Sequence, residues 1–343
     1  MTALAPAPVR VGGQVVELTA PMTIEMREHA VPEPLADEVV VAVAALGLCG
    51  TDLHLYAGRG ATYPWVVGHD AAGVVHAVGS AVSGFDVGQR VAVDPVLHCG
   101  QCAACLSGRV QLCRVGGYLG MLGPGMAAQY VALPARQLLP LPDAVSDLAA
   151  TALEPLAVAL HTLRRVQPLM PEPGPAVVIG GGPLGLLQAQ VMQHFGWKCS
   201  VFEPEPQRRE LGTRLGLDMF DVHETGHDEG DDPAPRLVVE TSAAGAGVDL
   251  AERQATPGSV IAMVGRGPHS VAPASILLKE LSLVGVKGGP RCYGEAVDLV
   301  SQGVIDPTAV ITHQFGWNHA AEAFAQTTEQ PDSIVRSALY GEW

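Results

Sequence analysis

The chain has 343 residues, 48% of them hydrophobic and only 16% charged, which is more apolar material than one core usually holds and points to two domains. Its 35 acidic and 20 basic residues leave a formal net charge of −15, and a surface of that sign repels phosphate backbones and anionic lipid headgroups. Nucleic-acid and membrane partners are therefore disfavoured, and the 40 glycines and 27 prolines, scattered without repeats, read as turns rather than as disorder beyond the ends.

Residues 1–9 hold no basic stretch followed by an apolar one, and no uncharged apolar run approaches the roughly 18 residues of a spanning helix. A soluble, cytoplasmic protein is expected. Short β-branched runs at 38–43, 73–78 and 90–93 alternate with glycine and proline turns, as in a domain built on antiparallel strands. Near residue 175 the texture changes. Strand-like runs at 176–179, 198–202, 236–240, 259–264 and 281–286 now alternate with helical stretches at 184–195, 207–215 and 248–254, the rhythm of a doubly wound parallel sheet. From about Tyr293 the pattern turns irregular, and the tail is expected to return to the first domain.

The chemistry-bearing residues begin with a dispersed set: Cys49 in GLCGTDLH, His69 and Asp70 in VVGHDAAG, and Glu154 in ALEPLAVALH. Singly they say little. A lone histidine on an apolar face is more often a satisfied core residue than a ligand, and a glutamate before Pro155 can be only a helix cap. Yet a thiol and a carboxylate in strongly apolar runs are costly unless a metal or another partner compensates them. Between them lies a dense set, Cys99, Cys102, Cys105 and Cys113, spaced C-x2-C-x2-C-x7-C. Four thiolates so close in sequence can close a tetrahedral zinc site with no open position. An iron–sulfur cluster is the rival, and the polar, glycine-containing loop without a second cysteine set favours zinc. Loops around Tyr56, Trp65, Tyr118 and Met121 are expected to shape a pocket, although aromatic residues in such loops pack as often as they bind.

Gly180, Gly182 and Gly185 in GGGPLG follow the apolar run AVVI, and Pro183 and Leu184 open a helical stretch. A glycine-rich loop is often only a turn. Between a strand and a helix, however, this spacing lets backbone approach a pyrophosphate and offers it the free N–H groups of a helix N-terminus. Glu203 ends the next strand-like run, where a carboxylate accepts bonds from the adenosine ribose and repels a 2′-phosphate. NAD is thereby favoured over NADP, with Arg208 and Arg209 nearby as either cofactor contacts or exposed arginines.

Together CGTDLH, GHDAAGVV, the four-cysteine lobe, GGGPLG and ITHQF resemble the zinc-containing medium-chain dehydrogenases in order and approximate separation, from roughly Val39 onward. The resemblance implies an α/β protein: a GroES-like β-barrel catalytic domain at 1–157 and 295–343, including Tyr130 and carrying both zinc sites, and a Rossmann NAD-binding domain at 158–294. It implies a catalytic zinc on Cys49 and His69 with Glu154 third, directly or through water, and a structural zinc on the four cysteines. Asp52 would orient His69, while Thr51 and His54 would carry the proton. Asp70 stands where the family usually has glutamate, so its shorter side chain is expected to fall short of the metal. The Glu154 segment is closest to the polyol and threonine dehydrogenase branches. The implied reaction is hydride transfer between NAD and a secondary alcohol such as a polyol, sugar alcohol or cyclitol, in a homodimer or homotetramer whose partner is a small alcohol or ketone. Zinc-free quinone or enoyl reductases share the fold but need neither Cys49 and His69 nor the lobe, and a zinc ribbon for nucleic acid is opposed by the charge of −15.

Overall fold

Glu38–Gly47 is almost wholly buried along its length, a near-continuous run of Val and Ala that suits a strand covered on both faces. It pairs antiparallel with three strands, Asp70–Val78, Ala128–Pro134 and Ser337–Tyr340, and so forms the axis of a ten-stranded sheet. The main path of that sheet runs Leu138–Pro140, Arg90–Val93, Asp70–Val78, Glu38–Gly47, Ala128–Pro134, Arg10–Ala20 and Thr23–His29. The structure, a computed structural model, describes residues 9–60, 62–223 and 237–343. It divides into two units, Met1–Glu154 with Tyr293–Trp343, and Pro155–Cys292. The boundary falls inside the helix Leu153–Val166, ahead of the change of sequence texture.

Two features of the first unit were not legible in the pattern. The hairpin Arg10–Ala20 with Thr23–His29 precedes the first expected strand, and its outer strand is polar and exposed, which hides any alternation. The tail is not irregular: it holds helices Tyr293–Ser301 and Ala320–Glu329 and a parallel strand pair, His313–Phe315 with Ser337–Tyr340. These elements are short, so their periodicity is weak over any sequence window. The tail does return to the first unit through the last strand, and Trp343 closes it by stacking on Trp317 at 3.8 Å and donating its indole N–H to the Val43 carbonyl.

In the second unit six parallel strands lie in the order Asp218–Phe220, Lys198–Phe202, Pro175–Ile179, Leu237–Glu240, Val260–Met263, Ser282–Gly285. Chain order reverses at Pro175–Ile179, the doubly wound arrangement that places ligands beyond the carboxyl end of the first strand. The expected strands and helices of this unit agree with the structure to within a few residues; Arg236, at the start of one of them, lies outside the described residues, as do most of residues 1–9. Val177, Ile179, Val238 and Ile261 form its core with Val248 and Ala251 from the helix Gly245–Gln254. No helix among the described residues is long and apolar enough to cross a membrane.

Candidate active site and metal centres

Strand register brings the dispersed set together. Gly47 pairs with Asp70 on one side and with Ala338 on the other, so the segments bearing Cys49, His69 and Arg336 meet at one end of the central strand. One ligand atom each from Cys49, His69 and Asp70 lie within 4.8 Å of one another. His69 and Asp70 are buried and Cys49 is half-buried. Asp52, on the short helix Gly50–Tyr56, ties the two loops: its Oδ2 accepts the Cys49 N–H at 2.9 Å and its Oδ1 the Gly68 N–H at 3.0 Å. The His69 ring then lies between two carboxylates, Nδ1 at 3.6 Å from Asp52 Oδ1 and Nε2 at 3.8 Å from Asp70 Oδ1. Burial opposes a charge on that ring, but the Asp70 and Asp52 carboxylates outweigh it and raise its proton affinity well above the usual value.

Asp70 is held from behind. The Arg336 guanidinium donates to its Oδ2 at 2.5 Å and to the Thr151 carbonyl at 2.9 Å. Asp70 Oδ1 and His69 Nδ1 are buried without a hydrogen-bond partner among the described residues. A thiol, an imidazole and a carboxylate oxygen with spare acceptor capacity are the donors zinc takes when one position stays open. The residues fit the metal. Glu154, the second residue of its helix, is not in the close group; burial, then the Asp70 charge, pushes its carboxyl up to about 8. The close group thus takes in Asp70, for which the shorter side chain was expected to fall short, and not Glu154. Reach was judged from side-chain length, whereas the pairing of Gly47 with Asp70 carries the backbone itself to the site. Thr51 and His54 lie on the Asp52 helix, half-buried and exposed respectively, outside the close group.

The cysteine lobe forms a second centre. Sulfur separations are 3.5 Å for Cys99–Cys113 and Cys102–Cys105 and 3.9 Å for Cys99–Cys105, and all four thiols are free. Zinc–sulfur bonds of about 2.3 Å in a tetrahedron set sulfurs about 3.8 Å apart, so the spacing suits one ion with no open position. Backbone N–H groups, that of Cys105 foremost, pull the Cys102 thiol down to about 6 and make it ready to ligate.

In the second unit Gly180 has φ of +101°, which favours glycine, and a Cβ on Gly185 would stand 1.8 Å from the Gly180 carbonyl oxygen. Gly182 differs. It caps the helix Pro183–His194 with an ordinary φ of −71°, and a Cβ there would meet only the Arg208 tip at 3.9 Å. No fold contact accounts for its bareness, which leaves open a cradle over the Leu184 N–H and the turn behind it that suits a pyrophosphate. Glu203 is 3% exposed; its Oε2 accepts the Gly181 N–H at 2.6 Å and its Oε1 the Glu205 N–H at 3.0 Å, which locks the glycine loop to the strand end. Arg209 donates to the Glu203 carbonyl at 2.7 Å and pairs with Asp221 at 2.9 Å.

An alcohol dehydrogenase GroES-like domain matches residues 35–143. The 2-dehydro-3-deoxy-L-galactonate 5-dehydrogenase of Pseudoalteromonas atlantica is 32% identical over 323 residues, 89% of this chain and 92% of that protein. The sorbitol dehydrogenase of Bacillus subtilis is 28% identical over 338 residues, 92% of this chain and 94% of that one. The crystal structure of the rspB alcohol dehydrogenase of E. coli CFT073, complexed with NADH, superposes with a TM-score of 0.88 at 30% identity, covering 96% of this chain and 99% of that one. The chain belongs to the zinc-dependent medium-chain dehydrogenase family. It is an oxidoreductase acting on small-molecule alcohols, with a GroES-like unit and a Rossmann unit.

Sequence reading of this dehydrogenase missed Arg336 and Asp94. Arg336 is 3% exposed, and its signal was a lone arginine in the apolar run SIVRSALY. Asp94 follows the strand Arg90–Val93 and is pushed up to about 6 by burial. Of the pocket candidates, Tyr56 is a core residue packed on Phe324 at 5.4 Å, the Trp65 indole donates to the Gly120 carbonyl at 2.7 Å, Met121 is 36% exposed, and Tyr118 stands edge-on to His69 at 6.4 Å.

Proposed function

We propose that this dehydrogenase oxidises a polyhydroxylated secondary alcohol, a polyol, sugar alcohol or cyclitol, to the ketone with NAD, and catalyses the reverse. The observation that carries the reading is the convergence of Cys49, His69 and Asp70 around a buried point, backed by Arg336. Those three residues would hold the catalytic zinc, with Glu154 near enough to join through water, and the ion supplies the positive charge that lowers the pKa of the substrate hydroxyl. Asp52 keeps the His69 ring in place through its hold on both loops. Thr51 accepts the substrate proton and His54, exposed on the same helix, releases it to solvent. Gly180, Gly182, Gly185, Pro183 and Leu184 would hold the pyrophosphate of NAD, which supplies the hydride acceptor, and Glu203 and Arg208 would bind its adenosine ribose. Glu203 sets the preference for NAD over NADP.

The polyol class is supported by two relatives whose names denote polyhydroxylated substrates. The GroES-like unit, close to 1–157 with 295–343, is the catalytic domain bearing a catalytic and a structural zinc, and 158–294 binds NAD. The protein works in the cytoplasm as a homo-oligomer: Ser282–Gly285 is an open edge of the parallel sheet, and Leu277 and Leu278 just before it are 77% and 81% exposed.

The test joins metal analysis to NADH absorbance over polyols, cyclitols, amino alcohols and simple secondary alcohols. Two zinc ions per chain are expected, with a higher kcat/KM for NAD than for NADP. Cys49→Ser should stay folded with one zinc and no turnover, whereas Cys102→Ser should destabilise the fold. Full activity with one zinc or none would overturn the assignment.

A further inference from the structure

The turn that leaves the strand Leu237–Glu240 is built around one buried side chain. Glu240 is 0% exposed, and its Oε1 accepts the Ser242 N–H at 2.8 Å, the Ser242 hydroxyl at 2.5 Å and the Ala243 N–H at 3.1 Å. Its carbonyl accepts the N–H groups of Val264 and Gly265, both at 2.9 Å, which ties the end of the neighbouring strand Val260–Met263 to the same residue. Oε2 is sealed against Gly265, where an added Cβ would stand 2.5 Å away, so the side chain acts on the turn and not on a ligand directly. What it holds is a conformation the chain resists. Ala243 has φ of +58°, a left-handed backbone that a residue with a Cβ rarely adopts, and such strain persists only where the surroundings over-determine it. Those surroundings fit closely: a Cβ on Gly267 would stand 2.4 Å from the Ala243 carbonyl oxygen, and one on Gly247 2.0 Å from the Ser242 hydroxyl oxygen.

The same turn abuts the glycine loop. Thr241 donates its N–H to the Ile179 carbonyl at 3.0 Å and its hydroxyl to the same oxygen at 2.8 Å. A Cβ on Gly180 would meet Thr241 Oγ1 at 3.0 Å and Ser242 Cβ at 3.2 Å. Strands Pro175–Ile179 and Leu237–Glu240 pair directly where chain order reverses, so the segments that follow them flank the crevice in which a doubly wound sheet takes a dinucleotide across its two halves. The glycine loop serves the half that takes adenosine and pyrophosphate, and the turn after Glu240 opens the other half.

We infer that Glu240 is a positioning residue for the cofactor: it holds residues 241–244 in the strained turn that walls the nicotinamide half of the dinucleotide site. The inference rests on the NAD site proposed above and gives it a residue that acts without touching the cofactor. Without the bonds to Oε1, Ala243 relaxes towards negative φ and the wall moves. The nicotinamide end then loses its support, while the adenosine end keeps the half of the sheet it rests on.

Glu240→Ala, Glu240→Gln and Ser242→Ala are compared with the parent by calorimetry, titrating NADH and ADP-ribose, which carries everything but the nicotinamide. Glu240→Ala should raise the Kd for NADH about tenfold and that for ADP-ribose no more than about twofold. Ser242→Ala, which removes the hydroxyl donor from an exposed position, should raise the NADH value about threefold, and Glu240→Gln, which keeps an acceptor for the same donors, should stay within about twofold of the parent. Equal losses on both ligands in Glu240→Ala and Ser242→Ala, no loss on either, or loss of folding in Glu240→Gln and Ser242→Ala alike would overturn the positioning role alone. A Gly182→Ala variant that binds NADH and ADP-ribose as the parent does would overturn the dinucleotide site itself, and this inference with it.

Discussion

At the scale of single residues, the site is governed by who shares a buried point rather than by which side chain is longest. Asp70 lacks a methylene relative to glutamate, yet it joins Cys49 and His69 because strand pairing has already delivered its backbone. Arg336 is its buried ion-pair partner: removing the arginine would strand a buried carboxylate, a change that typically costs several kcal/mol. Asp94 shows the opposite balance. Burial raises its pKa from 3.8 to about 6, so between those values the folded chain holds a proton that the unfolded chain has released. Its effect on stability is therefore nil below pH 3.8 and grows into a penalty as pH rises, complete above about 6. Asp94→Asn keeps an acceptor for the Val96 N–H and removes the penalty. Chemical denaturation should find the variant more stable by about 3 kcal/mol at pH 7 and little more stable than the parent near pH 4. An equal gain at both pH values would contradict a buried charge as its source.

At the scale of elements, three glycines of one motif have three different reasons. Gly180 needs its left-handed backbone, Gly185 needs its bareness against the Gly180 carbonyl, and Gly182 needs neither for folding. Gly185→Ala should destabilise the second unit by about 3 kcal/mol or more, because backbone cannot yield as a side-chain tip can. Gly182→Ala should fold within about 1 kcal/mol of the parent, yet raise the KM for NAD at least about tenfold, since the new methyl would occupy the approach to the helix N-terminus. Melting curves beside cofactor titration separate the two, and unchanged NAD binding in Gly182→Ala would remove the pyrophosphate from this loop. In the first unit a Cβ on Gly47 would stand 2.3 Å from Arg336 Nη2, so a larger residue there would have to displace the guanidinium that holds Asp70.

At the scale of the whole molecule, the acidic chain of charge −15 sets two exposed leucines just before Ser282–Gly285, an edge strand of the parallel sheet. Strand Ser282–Gly285 alternates a buried Val284 with an exposed Leu283, and its outer backbone groups face no neighbouring strand. Pairing with the same edge of a second copy would satisfy those groups and cover Leu277 and Leu278. Leu277→Glu with Leu278→Glu should convert the oligomer to smaller species in sedimentation without lowering the zinc content. A parent that is monomeric at micromolar concentration would exclude the interface.

What the sequence determined by itself is whatever depends on spacing along the chain. The four cysteines, the glycine loop with Glu203, and the alternation of apolar strands and helices are local, and local patterns survive without coordinates. The hairpin at the N-terminal end and the tail helices escaped because exposed polar strands and short helices carry little periodicity. Only the tertiary structure could bring Asp70 together with Cys49 and His69, find Arg336, or set Tyr118 beside His69, since each depends on the pairing of segments far apart in the chain.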